Sequence, residues 1–173
     1  PGKNSSSYVS IHRSDGEMAV ALSDMRILQE LTPARLEPMR DKLSAAAAIV
    51  VDGCLPQETL RYIIRTFGGS VPIFADPVST AYARRMRPVL RGIDTLKPNR
   101  LEAEILSGLV ITDAAGMEAA ARKISEQYGC SVLCKGGHKV NDADDLLWRN
   151  GSGKWFRGER IHNPNTHGTG CTL

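Results

Sequence analysis

AAAAIVVDGCLPQETLRYIIRTFGGSVPIFAD, residues 45–76, reads as strand, helix, strand. Ala46 to Asp52 is a short apolar run closed by Asp and Gly, the pattern of a strand buried on both faces of a parallel sheet. Pro56 to Phe67 is amphipathic and ends at Gly68-Gly69, and Pro72 to Asp76 is apolar again. A helix between two strands is the crossover that parallel pairing requires. This unit sets the frame for the rest of the chain.

Downstream the alternation continues. Ser79 to about Leu90 reads as a basic helix, Asp94 to Lys97 as a strand, and Asn99 to Leu106 as a short helix closed at Gly108. Asp113 is placed to cap a long helix to Tyr128, with Gly129 in position for a left-handed C-terminal cap. Ser131 to Lys135 is a further strand. Leu146 to Arg149 and Lys154 to Phe156 flank Asn150-Gly151-Ser152-Gly153, which predicts a hairpin. Upstream, Tyr8 to His12 and Met18 to Leu22 alternate in polarity around Ser14-Asp15-Gly16, a second hairpin. Thr32 followed by Pro33 predicts a helix start, with helix to about Lys42.

The 173 residues are 42% hydrophobic and 24% charged, enough for one core in one domain. No apolar run approaches the ~20 residues that cross a bilayer, and PGKNSSSYVS lacks a signal peptide's basic and apolar regions. The expectation is a cytoplasmic protein with no membrane partner. A balance of 22 basic against 19 acidic residues gives +3 without a basic block, so no nucleic-acid partner is expected. Cys54, Cys130, Cys134 and Cys171 read as reduced thiols. The chain opens at Pro1 and stops at Leu173, two residues past a glycine-rich motif, and reads as a fragment truncated at both ends.

Ligands of open α/β sheets gather at the carboxyl ends of the strands. Asp76-Pro77-Val78 ends one predicted strand, Asn99-x-x-Glu102 opens the helix after the next, and Lys135-Gly136-Gly137-His138 ends the one after that. Acidic and amide oxygens there suit a partly hydrated Mg²⁺ bridging to nucleotide phosphates, and the glycines permit close backbone approach. In Asn165-Thr166-His167-Gly168-Thr169-Gly170-Cys171-Thr172, small residues let backbone N–H groups converge on an anion at a helix start.

These residues resemble the ribokinase-like superfamily of ATP-dependent small-molecule kinases. GKNSSSYVSI, DGEMAVALSDMRILQELTP, VVDGCLP and FADPVSTAYARRM resemble ribokinase-type sugar kinases, pseudouridine kinase most of all. LKPNRLEAEILSG, SEQYGCSVLCKGGH, DADDLLW and HNPNTHGTGCTL resemble hydroxymethylpyrimidine and phosphomethylpyrimidine kinase, with the change of resemblance near residues 97–108. The resemblance implies a three-layer fold with a mostly parallel central sheet and a small lid hairpin over residues 8–22. It implies ATP and Mg²⁺ as cofactors and a small molecule bearing a hydroxyl as substrate. That substrate is hydroxymethylpyrimidine or its phosphate, with pseudouridine or a sugar as the alternative.

By the same resemblance, Gly168, Thr169 and Gly170 form the anion hole and Cys171 stands in the catalytic-base position. Asn99 and Glu102 organise Mg²⁺, Asp76 lies near metal and phosphates, and Lys135, Gly136 and Gly137 form the nucleotide-side loop. Lid hairpins of sugar kinases pair between subunits, which implies a possible homodimer. A noncatalytic nucleotide-binding fragment is the alternative of another class. Asp142, Asp144 and Asp145 read as a solvated acidic turn, and Arg84, Arg85 and Arg87 as a solvated helix face.

Overall fold

The structure, a computed structural model, describes residues 4–13, 18–136 and 144–158. Strand β1 (Ser7–His12) pairs antiparallel with β2 (Met18–Asp24), and the register sets Val9 opposite Leu22 and Ile11 opposite Val20. Because side chains alternate across a strand, these four share one face, and all four are exposed.

The helix expected from Thr32 to Lys42 is broken. Only α1 (Pro33–Leu36) and α2 (Arg40–Ser44) are α-helical, separated by a 3-10 turn over Glu37–Met39. Pro38 is the reason: it has no N–H to give and its ring collides with the preceding turn. Thr32 is extended as an N-cap should be, but its side chain makes no capping bond.

The core follows the predicted alternation through β3 (Ile49–Asp52), α3 (Gln57–Phe67), β4 (Ile73–Asp76), α4 (Thr80–Met86), β5 (Thr95–Leu96), α5 (Arg100–Ser107), α6 (Ala114–Tyr128), β6 (Ser131–Cys134), β7 (Asp145–Arg149) and β8 (Ser152–Phe156). The six strands from β3 to β8 lie in sequence order in one sheet, with the first three pairings parallel and the last two antiparallel. The helix expected to reach Leu90 stops at Met86 and tightens to a 3-10 turn carrying Pro88. Asp113 caps α6 by accepting the Gly116 N–H at 2.7 Å, and Gly129 closes it in the left-handed conformation.

Strand order equal to chain order has a consequence for the layers. Right-handed crossovers that always step in one direction place their helices on one face of the sheet. Ile49, Val51, Ile73, Ala75, Leu96 and Val132 accordingly pack with Leu60, Ile64, Phe67, Met86, Leu106 and Ile124 in a single core. On the opposite face Val50 is 79% exposed and Phe74 41%. Among the described residues β3 packs one face, Ile49 and Val51, against helices. Among the described residues no helix is long and apolar enough to cross a membrane.

Candidate functional site

The parallel ladder runs past the strand ends and carries the predicted residues to one place. Lys97 donates its N–H to Ala75 O at 2.8 Å, and Lys135 donates to Pro98 O at 2.9 Å. Asn99 and Lys135 form a parallel bridge. The carboxyl ends of β4, β5 and β6 thereby bring Asp76, Lys97, Asn99 and Lys135 side by side.

Asp76 is the hub. Its Oδ2 receives Lys97 Nζ at 3.3 Å and Lys135 Nζ at 3.4 Å. These three side chains are only 15–20% exposed, so the pairs sit in a less screened setting than surface salt bridges. The other oxygen, Oδ1, accepts the Val78 N–H at 2.9 Å. Val78 has φ 69°, a left-handed conformation that is unusual for a β-branched residue. Its turn is held by that bond and by the Ser79 N–H on Pro77 O at 2.8 Å. Two ammonium groups around one carboxylate leave the cluster with a net positive charge, a setting that attracts anions.

Glu102 lies next to the cluster and is fully buried. Asn99 Oδ1 accepts the Glu102 N–H at 3.0 Å, and Glu102 Oε2 accepts the Asn99 N–H at 2.8 Å. The Asn-x-x-Glu motif is therefore a reciprocal capping box at the start of α5. Glu102 Oε1 has no hydrogen-bond partner among the described residues. Burial pushes the Glu102 carboxyl above its ordinary value, opposed by the Asn99 N–H and the Lys135 charge and reinforced by Asp76. A buried carboxylate oxygen with unused lone pairs beside Asp76 and Asn99 fits a hard, partly hydrated cation such as Mg²⁺.

Lys135 leads into Gly136, whose N–H donates to Asp145 Oδ1 at 2.7 Å. A Cβ on Gly136 would fall within the Asp144 backbone, so only glycine fits. Asp144 Oδ1 in turn accepts the Gly158 N–H at 3.1 Å. Asp144 and Asp145 are thus not a solvated acidic turn but anchors for the backbone on both sides of the hairpin. Arg85 also departs from the solvated-face reading. Its guanidinium donates to Gly53 O and to Leu55 O, the latter at 2.9 Å, and lies 4.6 Å from the Tyr82 ring centroid. It clamps the loop after β3.

The structure brings together Asp76, Asn99, Glu102, Lys135 and Gly136 of the predicted site. Gly137, Gly168, Thr169, Gly170 and Cys171 lie outside the described residues. Lys97 was missed by sequence reasoning. The available signal was its place two residues before Asn99, at the end of a strand flanked by those of Asp76 and Lys135.

Residues 74–173 match the family model described as phosphomethylpyrimidine kinase. Pseudouridine kinase of Escherichia coli (strain K12) is 39% identical over 148 residues, covering 83% of this chain and 46% of that protein. Hydroxymethylpyrimidine/phosphomethylpyrimidine kinase of Haemophilus influenzae is 32% identical over 110 residues, covering 61% of this chain and 40% of that protein. The chain thus spans about half the length of the curated relatives it matches. Among solved structures, a carbohydrate kinase from Agrobacterium tumefaciens superposes with a TM-score of 0.71 at 22% identity, over 91% of this chain and 48% of that one. Ribokinase from Thermotoga maritima gives 0.70 at 20% identity, over 91% and 49%. At these identities the structures speak for the ribokinase-like fold.

Proposed function

This chain belongs to the phosphomethylpyrimidine kinase family, and from that premise we propose that it is the core of a kinase transferring the γ-phosphoryl group of ATP to a hydroxyl. The acceptor is hydroxymethylpyrimidine or its phosphate. The observation that supports this reading is the convergence of two lysines, Asp76 and the Asn99–Glu102 box at one sheet edge.

Phosphoryl transfer depends on positioning and charge stabilisation more than on covalent chemistry. Lys97 and Lys135 hold the polyphosphate by charge, and Asp76 keeps both ammonium groups oriented toward it. Gly136, pinned by Asp145, lets the backbone approach the phosphates closely. Asn99, Glu102 and Asp76 would hold Mg²⁺, which when bound neutralises phosphate charge. Cys171 would accept the proton of the acceptor hydroxyl at Sγ, and the N–H groups of Gly168 to Gly170 would receive the transferring group.

An ATP-consumption panel tests the assignment. Turnover with hydroxymethylpyrimidine and none with pseudouridine is expected, and turnover of the nucleoside alone overturns it. ATP binding dependent on Mg²⁺ with no phosphorylated product on any acceptor identifies a noncatalytic nucleotide-binding piece instead. The exposed apolar face of Val9, Ile11, Val20 and Leu22 supports a homodimer that covers it. Sedimentation should show a dimer that Leu22→Asp dissociates, and a monomer at all concentrations refutes the pairing.

A further inference from the structure

Between Gln57 and Gly92 the chain carries six arginines and no lysine against two acids, Glu58 and Asp76, a net +4 that exceeds the +3 of the whole chain. Along the sequence these arginines are dispersed over two helices and form no basic block. Folding collects them. Gln57 Nε2 donates to Arg85 O at 3.0 Å, so the end of α4 lies beside the start of α3. Gly92 lies beside the other end of α3: a Cβ there would come within 2.8 Å of Ile64 Cγ2, and one on Gly68 within 2.9 Å of Gly92 O. Residues 85–92 therefore run alongside α3 for its whole length.

Leu60, Ile63, Ile64 and Phe67 on α3 and Ala83, Met86 and Val89 beside them are buried. Arg61, Arg65, Arg84, Arg87 and Arg91 are exposed. Arg61 and Arg65 are about one helical turn apart, roughly 6 Å along the axis, and packed helices lie about 8–10 Å from one another. The result is two close rows of guanidinium groups. None of the five makes an ion pair or a hydrogen bond among the described residues. Of the two acids, Asp76 is taken by Lys97 and Lys135, and Glu58 sits in the first turn of α3. Arg65 and Arg84 lie in last turns, where a cation complements the helix dipole. Arg61 is in mid-helix and Arg91 lies outside the helices, so the dipole does not account for the group.

The surroundings select the partner. Planar guanidinium forks match phosphate oxygens. The exposed large apolar side chains of the described residues all lie outside residues 57–70 and 79–92. This face thus offers nothing to insert into a bilayer and no apolar centre for a protein interface. Tyr62 is held by Glu37 and Tyr82 lies under Arg85, which leaves no free ring on which single-stranded bases could stack. A duplex needs only charge: backbone contacts supply its non-specific affinity, and its two strands border a minor groove roughly 6 Å wide that two close rows can straddle. The wide minor groove of A-form RNA fits such rows poorly.

We infer that the outer face of α3 and α4 is a docking surface for the phosphate backbone of double-stranded DNA, bound without regard to sequence. It is separate from the lysine cluster, because α3 and residues 85–92 both lead away from the sheet edge that holds Asp76.

Fluorescence anisotropy of a labelled duplex of mixed sequence, titrated with the whole chain at several salt concentrations, tests the surface. One phosphate per exposed arginine gives a slope of log K against log salt of about −4 to −5, at about −0.9 per contact. Arg65→Ala and Arg91→Ala should each reduce that slope by about 0.9, equally for every duplex sequence, and leave tripolyphosphate affinity unchanged. Arg61→Glu combined with Arg65→Glu should abolish duplex binding, with circular dichroism showing the fold intact. Lys97→Ala should leave duplex binding as it is. No binding to the duplex, or a salt slope that the arginine variants do not move, overturns the surface. Loss of duplex binding in Lys97→Ala overturns it in favour of the lysine cluster. Tighter binding to double-stranded RNA, to a single strand or to phosphatidylserine vesicles overturns the choice of partner.

Discussion

Asp76→Asn removes the one negative charge between two ammonium groups and leaves the shape of the side chain intact. The amide oxygen can still accept the Val78 N–H, so the turn after β4 should survive. Lys97 and Lys135 lie 3.3 and 3.4 Å from the carboxylate. At an effective dielectric of about 20, each contact is worth roughly 5 kcal/mol before desolvation and side-chain ordering are counted. With side chains 15–20% exposed, the net loss falls between that of exposed and buried pairs, about 2 kcal/mol for both contacts together. For a domain of this size that is a fall in melting temperature of roughly 4–8 °C. The anion site should respond in the opposite direction. One added positive charge, screened by solvent, favours a bound polyphosphate by about 1 kcal/mol, roughly fivefold in affinity at low salt. Thermal melts with and without tripolyphosphate, together with calorimetric titration, read both effects. An unchanged melting temperature and an unchanged tripolyphosphate affinity would refute the claim that Asp76 organises the two lysines.

Gly136→Ala should destabilise the chain by about 1–3 kcal/mol, the usual cost of overpacking, and chemical denaturation will show it. A neutral substitution would contradict the close approach of Gly136 to Asp144. For Glu102, burial raises the folded-state pKa above 4.5, so the folded form binds the proton more tightly than the unfolded one. The associated stability is present below pH 4.5 and lost as pH rises through the raised folded value. Urea denaturation should therefore show wild type losing stability relative to Glu102→Gln across that window, and parallel pH profiles would count against the buried charge. Burial pushes Cys54 and Cys130 to about 11 and Cys134 to about 12. Native protein at pH 8 should leave these three thiols unalkylated by iodoacetamide, as mass spectrometry would show, and rapid labelling of Cys54 would indicate that the loop it occupies opens.

The succession of strands and helices was legible in the sequence because each signal is local. Apolar runs of four to seven residues, Asp113 and Gly129 at the two ends of α6, and Asn150-Gly151 between β7 and β8 act over a turn or a strand. The capping box of Asn99 and Glu102 is a matter of spacing alone. The break at Pro38 is local too: a proline has no N–H to continue the helix that the helix formers around it favour. The partners of Asp76 were not legible. Lys97 and Lys135 reach it across strand pairings between segments 21 and 59 residues apart in the chain, and only the register of β4, β5 and β6 decides which side chains become neighbours. The same holds for Asp145 under Gly136 and for Arg85 on the loop after β3. Whether β3 was buried on one face or two was equally beyond the apolar pattern. Strand order places the described crossover helices on the same side, because crossovers stepping always in one direction share a face. The sequence by itself determined the elements and the residues that bear charge at their ends, since those depend on neighbours along the chain. The tertiary structure decided which charges meet, since that depends on neighbours across the sheet.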